Sequence, residues 1–135
     1  MTGRPAYVDE HARLLTGVPP ERAYAAVRSY AERLTRTPTG ALAAFTRLWA
    51  TEPASGFAIV DEQPPAVVTL AGRHRFSRYE MDLRVDPAAD GSVVTVVTLA
   101  DFPGVRGTVY RTALMGSRGH VLAVRRMLAS IERLA

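Results

Sequence analysis

The sequence contains no cysteine, which excludes disulfides and thiolate metal sites. It contains no lysine either, so all 17 basic residues are arginine. No stretch approaches the roughly 18 apolar residues of a membrane span, and none is expected to cross one. The opening MTGRPAYVDEH lacks the apolar core of a signal peptide, so a cytoplasmic protein is expected.

What is present fits one domain spanning residues 1–135, since 135 residues with 47% hydrophobic content can bury a single core. Arginine forks match phosphate oxygens, which raises nucleic acid as a partner. The net charge is only +4, however, and 13 carboxylates are interspersed among the arginines instead of leaving a basic patch. No nucleic-acid partner is therefore expected. Arginine without lysine, beside many Ala, Gly, Pro and Val, fits the coding bias of a GC-rich genome, and a bacterial source is expected.

Along the chain, YVDEHARLLT (7–16) reads as a strand, and GVPP breaks it. A first helix follows, with Glu21 in its first turn and Ala23, Val27, Tyr30 and Leu34 at helical spacing. ALAAFTRLW (41–49) reads as a short second helix. The period then changes. GFAIVDE (56–62), PAVVTLAG (65–72), FSRYEMDLRV (76–85) and SVVTVVTLA (92–100) are strand-like runs joined by short turns, which argues for an antiparallel meander. Residues 104–134 return to helical spacing over ~45 Å. Tyr110, Leu114, Ser117, Val121, Val124, Leu128 and Ile131 form their apolar stripe. His120 and Met127 lie at one edge of it, and Arg111, Arg118 and Arg125 at the other.

The stretch LAGRHRFSRYEMDLRV (70–85) is dense in polar residues, but its alternation is simple. Ser77, Tyr79, Met81, Leu83 and Val85 fall on one face, and Arg78, Glu80, Asp82 and Arg84 on the other. A mostly apolar face opposite one of mixed charge is a core-facing strand with a solvated back.

LLTGVPPERAYAAV, FAIVDEQPPAVVTLAGRHRFSRYEMDLRV and ADFPGVRGTVYRTALMGSRGHVLAVRRMLASIERL follow one another as strand into helix, central hairpin, and last strand into long helix. This order resembles the helix-grip fold of the SRPBCC (START-like, Bet v1-like) superfamily over nearly the whole chain. The resemblance implies an α+β protein in which a curved antiparallel sheet wraps around a long C-terminal helix, with two short helices after the first strand. It also implies a cavity between sheet and helix for an apolar small molecule. Some members of the superfamily are polyketide cyclases or dehydratases, and others transport lipids, bind hormones or activate chaperones. No catalytic residue is common to them.

Candidate chemistry has to be read locally. Gly116, Ser117 and Gly119 resemble part of a nucleophile elbow, but Met115 stands where its first glycine belongs, and the serine falls within a helix. His11, His74 and His120 lie on different elements without HxH or HExxH spacing, so no metal is expected. His74, between two arginines at a turn, reads as exposed. His120, at the edge of the apolar stripe, is the candidate acid–base, with Tyr79 or an arginine as its electrophilic partner. One of Arg111, Arg118 and Arg125 could meet an acidic group on a ligand.

The reading is binding of an apolar or amphipathic small molecule, without a cofactor, in a cavity lined by Trp49, Tyr79, Met81, Tyr110, Leu114, Ser117, His120, Val121 and Val124. The first alternative is a cyclase or dehydratase, a lyase or isomerase without metal, acting in that cavity. The second is a protein-interaction domain without a ligand. The oligomeric state is left open.

Overall fold

The structure, a computed structural model, describes residues 7–102, 104 and 118–135. Five strands form one antiparallel sheet in the order β1-β5-β4-β3-β2: β1 Tyr7–Thr16, β2 Ala58–Gln63, β3 Val67–His74, β4 Ser77–Ala88 and β5 Gly91–Asp101. Strands β2 to β5 follow one another by short turns, as the spacing of turn residues requires. Strand β1 closes the sheet on the far side by pairing with β5 along its whole length, Tyr7 opposite Ala100 to Thr16 opposite Gly91. Two helices follow β1, α1 Pro20–Leu34 and α2 Gly40–Leu48, and α3 Gly119–Leu134 ends the chain. The architecture is the expected α+β arrangement of a curved sheet around a C-terminal helix.

The core lies between the concave face of the sheet and the helices α1 and α3. Val68 and Leu70 of β3, Met81, Leu83 and Val85 of β4, and Val94 and Val96 of β5 supply its floor. Helix α1 lowers Ala23, Tyr24, Ala26, Val27 and Ala31 onto it, and α3 lowers Val124, Leu128 and Ile131. The small alanines of α1 let that helix approach both the sheet and α3 closely. On β4 the alternation is as read from the sequence. Ser77, Met81, Leu83 and Val85 are buried and Tyr79 half-buried, while Arg84 on the back pairs with Asp82 at 3.0 Å.

One expectation changes. Residues 104–134 do not form one uninterrupted helix, because Arg118 takes left-handed backbone angles (φ 54°) and caps a helix that starts at Gly119. Such a residue cannot carry right-handed helical hydrogen bonding through itself. Helix α3 therefore has 16 residues, about 24 Å at 1.5 Å each. Strand β1 turns its polar residues inward. Leu15 is buried and Asp9, His11 and Arg13 are half-buried, while Val8 and Leu14 face out.

Candidate functional site

Between β4, β5 and the first turns of α3 the core opens into a cavity of about 360 Å³. The sheet leaves this space because its inner-face side chains shrink there. Tyr79 stands between Gly72 of β3 and Ala100 of β5, whereas two and four residues further along β4 the cross-strand rows are filled by Leu70–Met81–Thr98 and Val68–Leu83–Val96. Alternate residues Ser77, Tyr79 and Met81 of β4, with Thr98 and Ala100 of β5, form the floor. Gly119, His120, Ala123, Val124 and Met127, spaced three and four apart, form the roof. Phe57, His74 and Phe102 close the sides. The volume lies towards the small end of ligand sites, and the walls are mostly apolar with a few polar groups.

The sides are aromatic. Phe57 meets Tyr79 edge-on with ring centroids 5.2 Å apart, and His74 lies 5.9 Å from Tyr79. The Tyr79 hydroxyl donates to the Gly56 carbonyl at 2.6 Å, which pins the ring across Gly72. His74 is not the exposed turn residue expected from its arginine neighbours. Strand β3 runs two residues past Gly72, so His74 falls on the inner face. Burial lowers its pKa from the ordinary value near 6.5. Its Nδ1 accepts the Phe76 N–H at 3.1 Å, a bond that also needs that nitrogen unprotonated.

The polar group that the roof brings to the cavity is His120. Its Nε2 lies 3.1 Å from Asp9 Oδ2, and His11 Nε2 lies 2.8 Å from the same oxygen. The contact from His120 is a hydrogen bond. That from His11 is short but misaligned, leaving His11 Nε2 buried without a hydrogen-bond partner. A carboxylate only accepts, so His120 Nε2 carries the proton it shares with Asp9. The pairing fixes the ring's orientation, the arrangement by which a carboxylate positions a proton-accepting histidine. Thr98, directly across from Asp9 on β5, keeps a buried hydroxyl without a partner. Among the described residues no group of three or more His, Asp or Glu is placed to hold a metal ion.

Of the residues expected on the cavity wall, Tyr79, Met81, His120 and Val124 stand there. Trp49 does not. It packs edge-on against His74 and Phe76, centroids 5.6 and 5.1 Å away, and lines a separate pocket of about 170 Å³ on the other side of His74. Val121 is half-buried and off the wall, one helical step beyond His120 and so turned about 100° from it. Tyr110, Leu114, Ser117 and Arg111 lie outside the described residues. Arg118 and Arg125 are exposed, and neither lines the cavity.

No family model matches the chain, and no curated protein matches it. Solved structures do. A conserved protein from Geobacillus kaustophilus superposes with a TM-score of 0.60 at 13% identity, over 94% of this chain and 93% of its own. A protein from Mesorhizobium loti reaches 0.54 at 12% identity, over 95% and 96% of the two chains. A protein from Arthrobacter aurescens reaches 0.54 at 12%, over 93% and 86%. At such identities the likeness is one of fold alone, running almost from end to end of each chain.

Proposed function

We propose that this protein binds an apolar or amphipathic small molecule between the sheet and α3. The observation that carries the reading is the cavity itself, about 360 Å³ with mainly apolar walls and His120 among its few polar groups. Burial of the ligand's apolar surface supplies the affinity, and His120 sets its orientation. The resemblance to helix-grip proteins supports the same reading. The test is displacement of an apolar fluorescent dye by a panel of aromatic, polyketide-like and fatty compounds. A protein that neither takes up the dye nor protects any compound returns the reading to a protein-interaction domain.

A second reading, a cyclase or dehydratase without metal, is favoured by the Asp9–His120 pair. His120 takes a proton from carbon or oxygen of the ligand, and Asp9 stabilises the imidazolium formed. Tyr79 is a weaker partner than its position suggests, because its hydroxyl proton is committed to Gly56. The hydroxyl can accept from a ligand but does not donate to a developing oxyanion while that bond holds.

A further inference from the structure

Helix α2 is turned inside out for a surface helix. None of its residues is buried, and Leu42, Phe45 and Leu48, spaced three apart, are 60%, 53% and 69% exposed. A helix that merely covered a core would present such a stripe inward and charges outward. Large apolar side chains clustered on a protruding element mark a contact with something apolar.

The charges around the helix say what kind. Residues 33–51 hold three arginines, Arg33, Arg36 and Arg47, and no carboxylate. All three are exposed. A fourth, Arg75, is held at the end of α2 by donating to the Leu48 carbonyl at 3.1 Å. Glu52, the first acid beyond, is already paired with Arg73.

We propose that α2 docks the protein on an anionic lipid surface, with Leu42, Phe45 and Leu48 entering the acyl boundary and the arginines meeting headgroup phosphates. A second copy of the chain is the poorer occupant. A two-fold contact through α2 sets the same arginines against each other without a carboxylate to separate them. An acidic protein would satisfy the arginines but gives no reason for the exposed Leu42, Phe45 and Leu48. Docking also has a consequence for the cavity. Trp49, at the end of α2, packs on His74, whose other side lines the cavity, so the aromatic end of the site is held beside the lipid. The docking claim does not depend on ligand binding and is tested without a ligand.

The experiment is co-sedimentation of the whole chain with vesicles of phosphatidylcholine, alone or mixed with phosphatidylglycerol. The single tryptophan, Trp49, serves as a second readout. Expected are binding at least about tenfold stronger to the mixed vesicles, weakening with salt, and a blue-shifted Trp49 emission. Phe45→Asp with Leu48→Asp should cut that binding about tenfold or more, and Arg36→Glu with Arg47→Glu should do likewise. Unfolding temperatures should stay unchanged, since none of these side chains is buried. The proposal is overturned if the protein ignores both vesicles, or binds them equally, or binds regardless of the substitutions. A concentration-dependent dimer that Phe45→Asp with Leu48→Asp dissolves, without vesicle binding, overturns it in favour of self-association.

Discussion

Tyr79 and Gly72 face each other across β4 and β3, and the tyrosine lies where a side chain on Gly72 would be. A Cβ at position 72 would meet Tyr79 Cε2 at 2.7 Å and the Gly56 carbonyl oxygen at 2.1 Å. Neither can yield easily, because the Tyr79 hydroxyl is bonded to that same carbonyl. Gly72→Ala should therefore destabilise the fold by about 2 kcal/mol or more. Tyr79→Phe, which removes only the hydrogen bond, should cost about 1 kcal/mol. Denaturant midpoints check both. Equal costs would mean that the contact, as drawn, does not hold.

Leu128 is buried against the same core as Met81 and Leu83, and Val121, seven residues earlier, is not part of that core. Leu128→Ala should cost about 2–5 kcal/mol, and Val121→Ala well under half of that. A change below about half a kcal/mol at Leu128 would mean that this face of α3 does not seal the core.

His74 gives the fold a pH dependence of known sign. Burial holds its pKa below the ordinary value near 6.5, so the unfolded chain takes up a proton before the folded one does. Its contribution to stability is complete above 6.5 and declines as the pH falls through that value towards the depressed one. His74→Asn keeps an acceptor for the Phe76 N–H but cannot titrate. Between about pH 7.5 and about pH 5.5 the wild type should lose more denaturant resistance than the variant. Identical losses would place the histidine in water.

The sheet was legible because β4 obeys its period of two, and the sides of the cavity were partly legible for the same reason. Carrying the alternation of β3 from Leu70 and Gly72 one step further places His74 inside, although its neighbours Arg73 and Arg75 suggest the opposite. Strand β1 could not be read this way. Its apolar Val8 and Leu14 face out, and its polar Asp9, His11 and Arg13 face in, where residues more than a hundred positions away receive Asp9 and Arg13. His120 meets Asp9, and Glu132 lies 3.5 Å from Arg13. No local pattern encodes such pairs. The break before α3 was also hidden, because a left-handed arginine has no sequence signature, and Gly119 beside it reads only as a weak point.

The Asp9–His120 pair separates binder from catalyst. If the protein only binds, His120→Gln should change ligand affinity by less than about tenfold, and Asp9→Asn by less still. If it catalyses, His120→Gln should leave affinity nearly intact and lower turnover by about a hundredfold or more. Asp9→Asn should then lower turnover as well, because an amide can hold the ring in the wrong tautomer. Affinity and turnover measured on the same ligand decide between the two.

The central claim is that the space between the sheet and α3 is where a ligand sits, and Ala123 offers the most direct measurement. Ala123 lines the cavity from the roof yet is itself exposed, so a larger side chain there can fill the space without displacing the core. The measurement is titration of an apolar fluorescent dye into the wild type and into Ala123→Trp, with the unfolding temperature of both as a control. The account predicts saturable dye binding to the wild type and an affinity at least about tenfold lower in the variant, with its unfolding temperature unchanged. Equal dye affinity in the two proteins, or no saturable binding to the wild type, would contradict it.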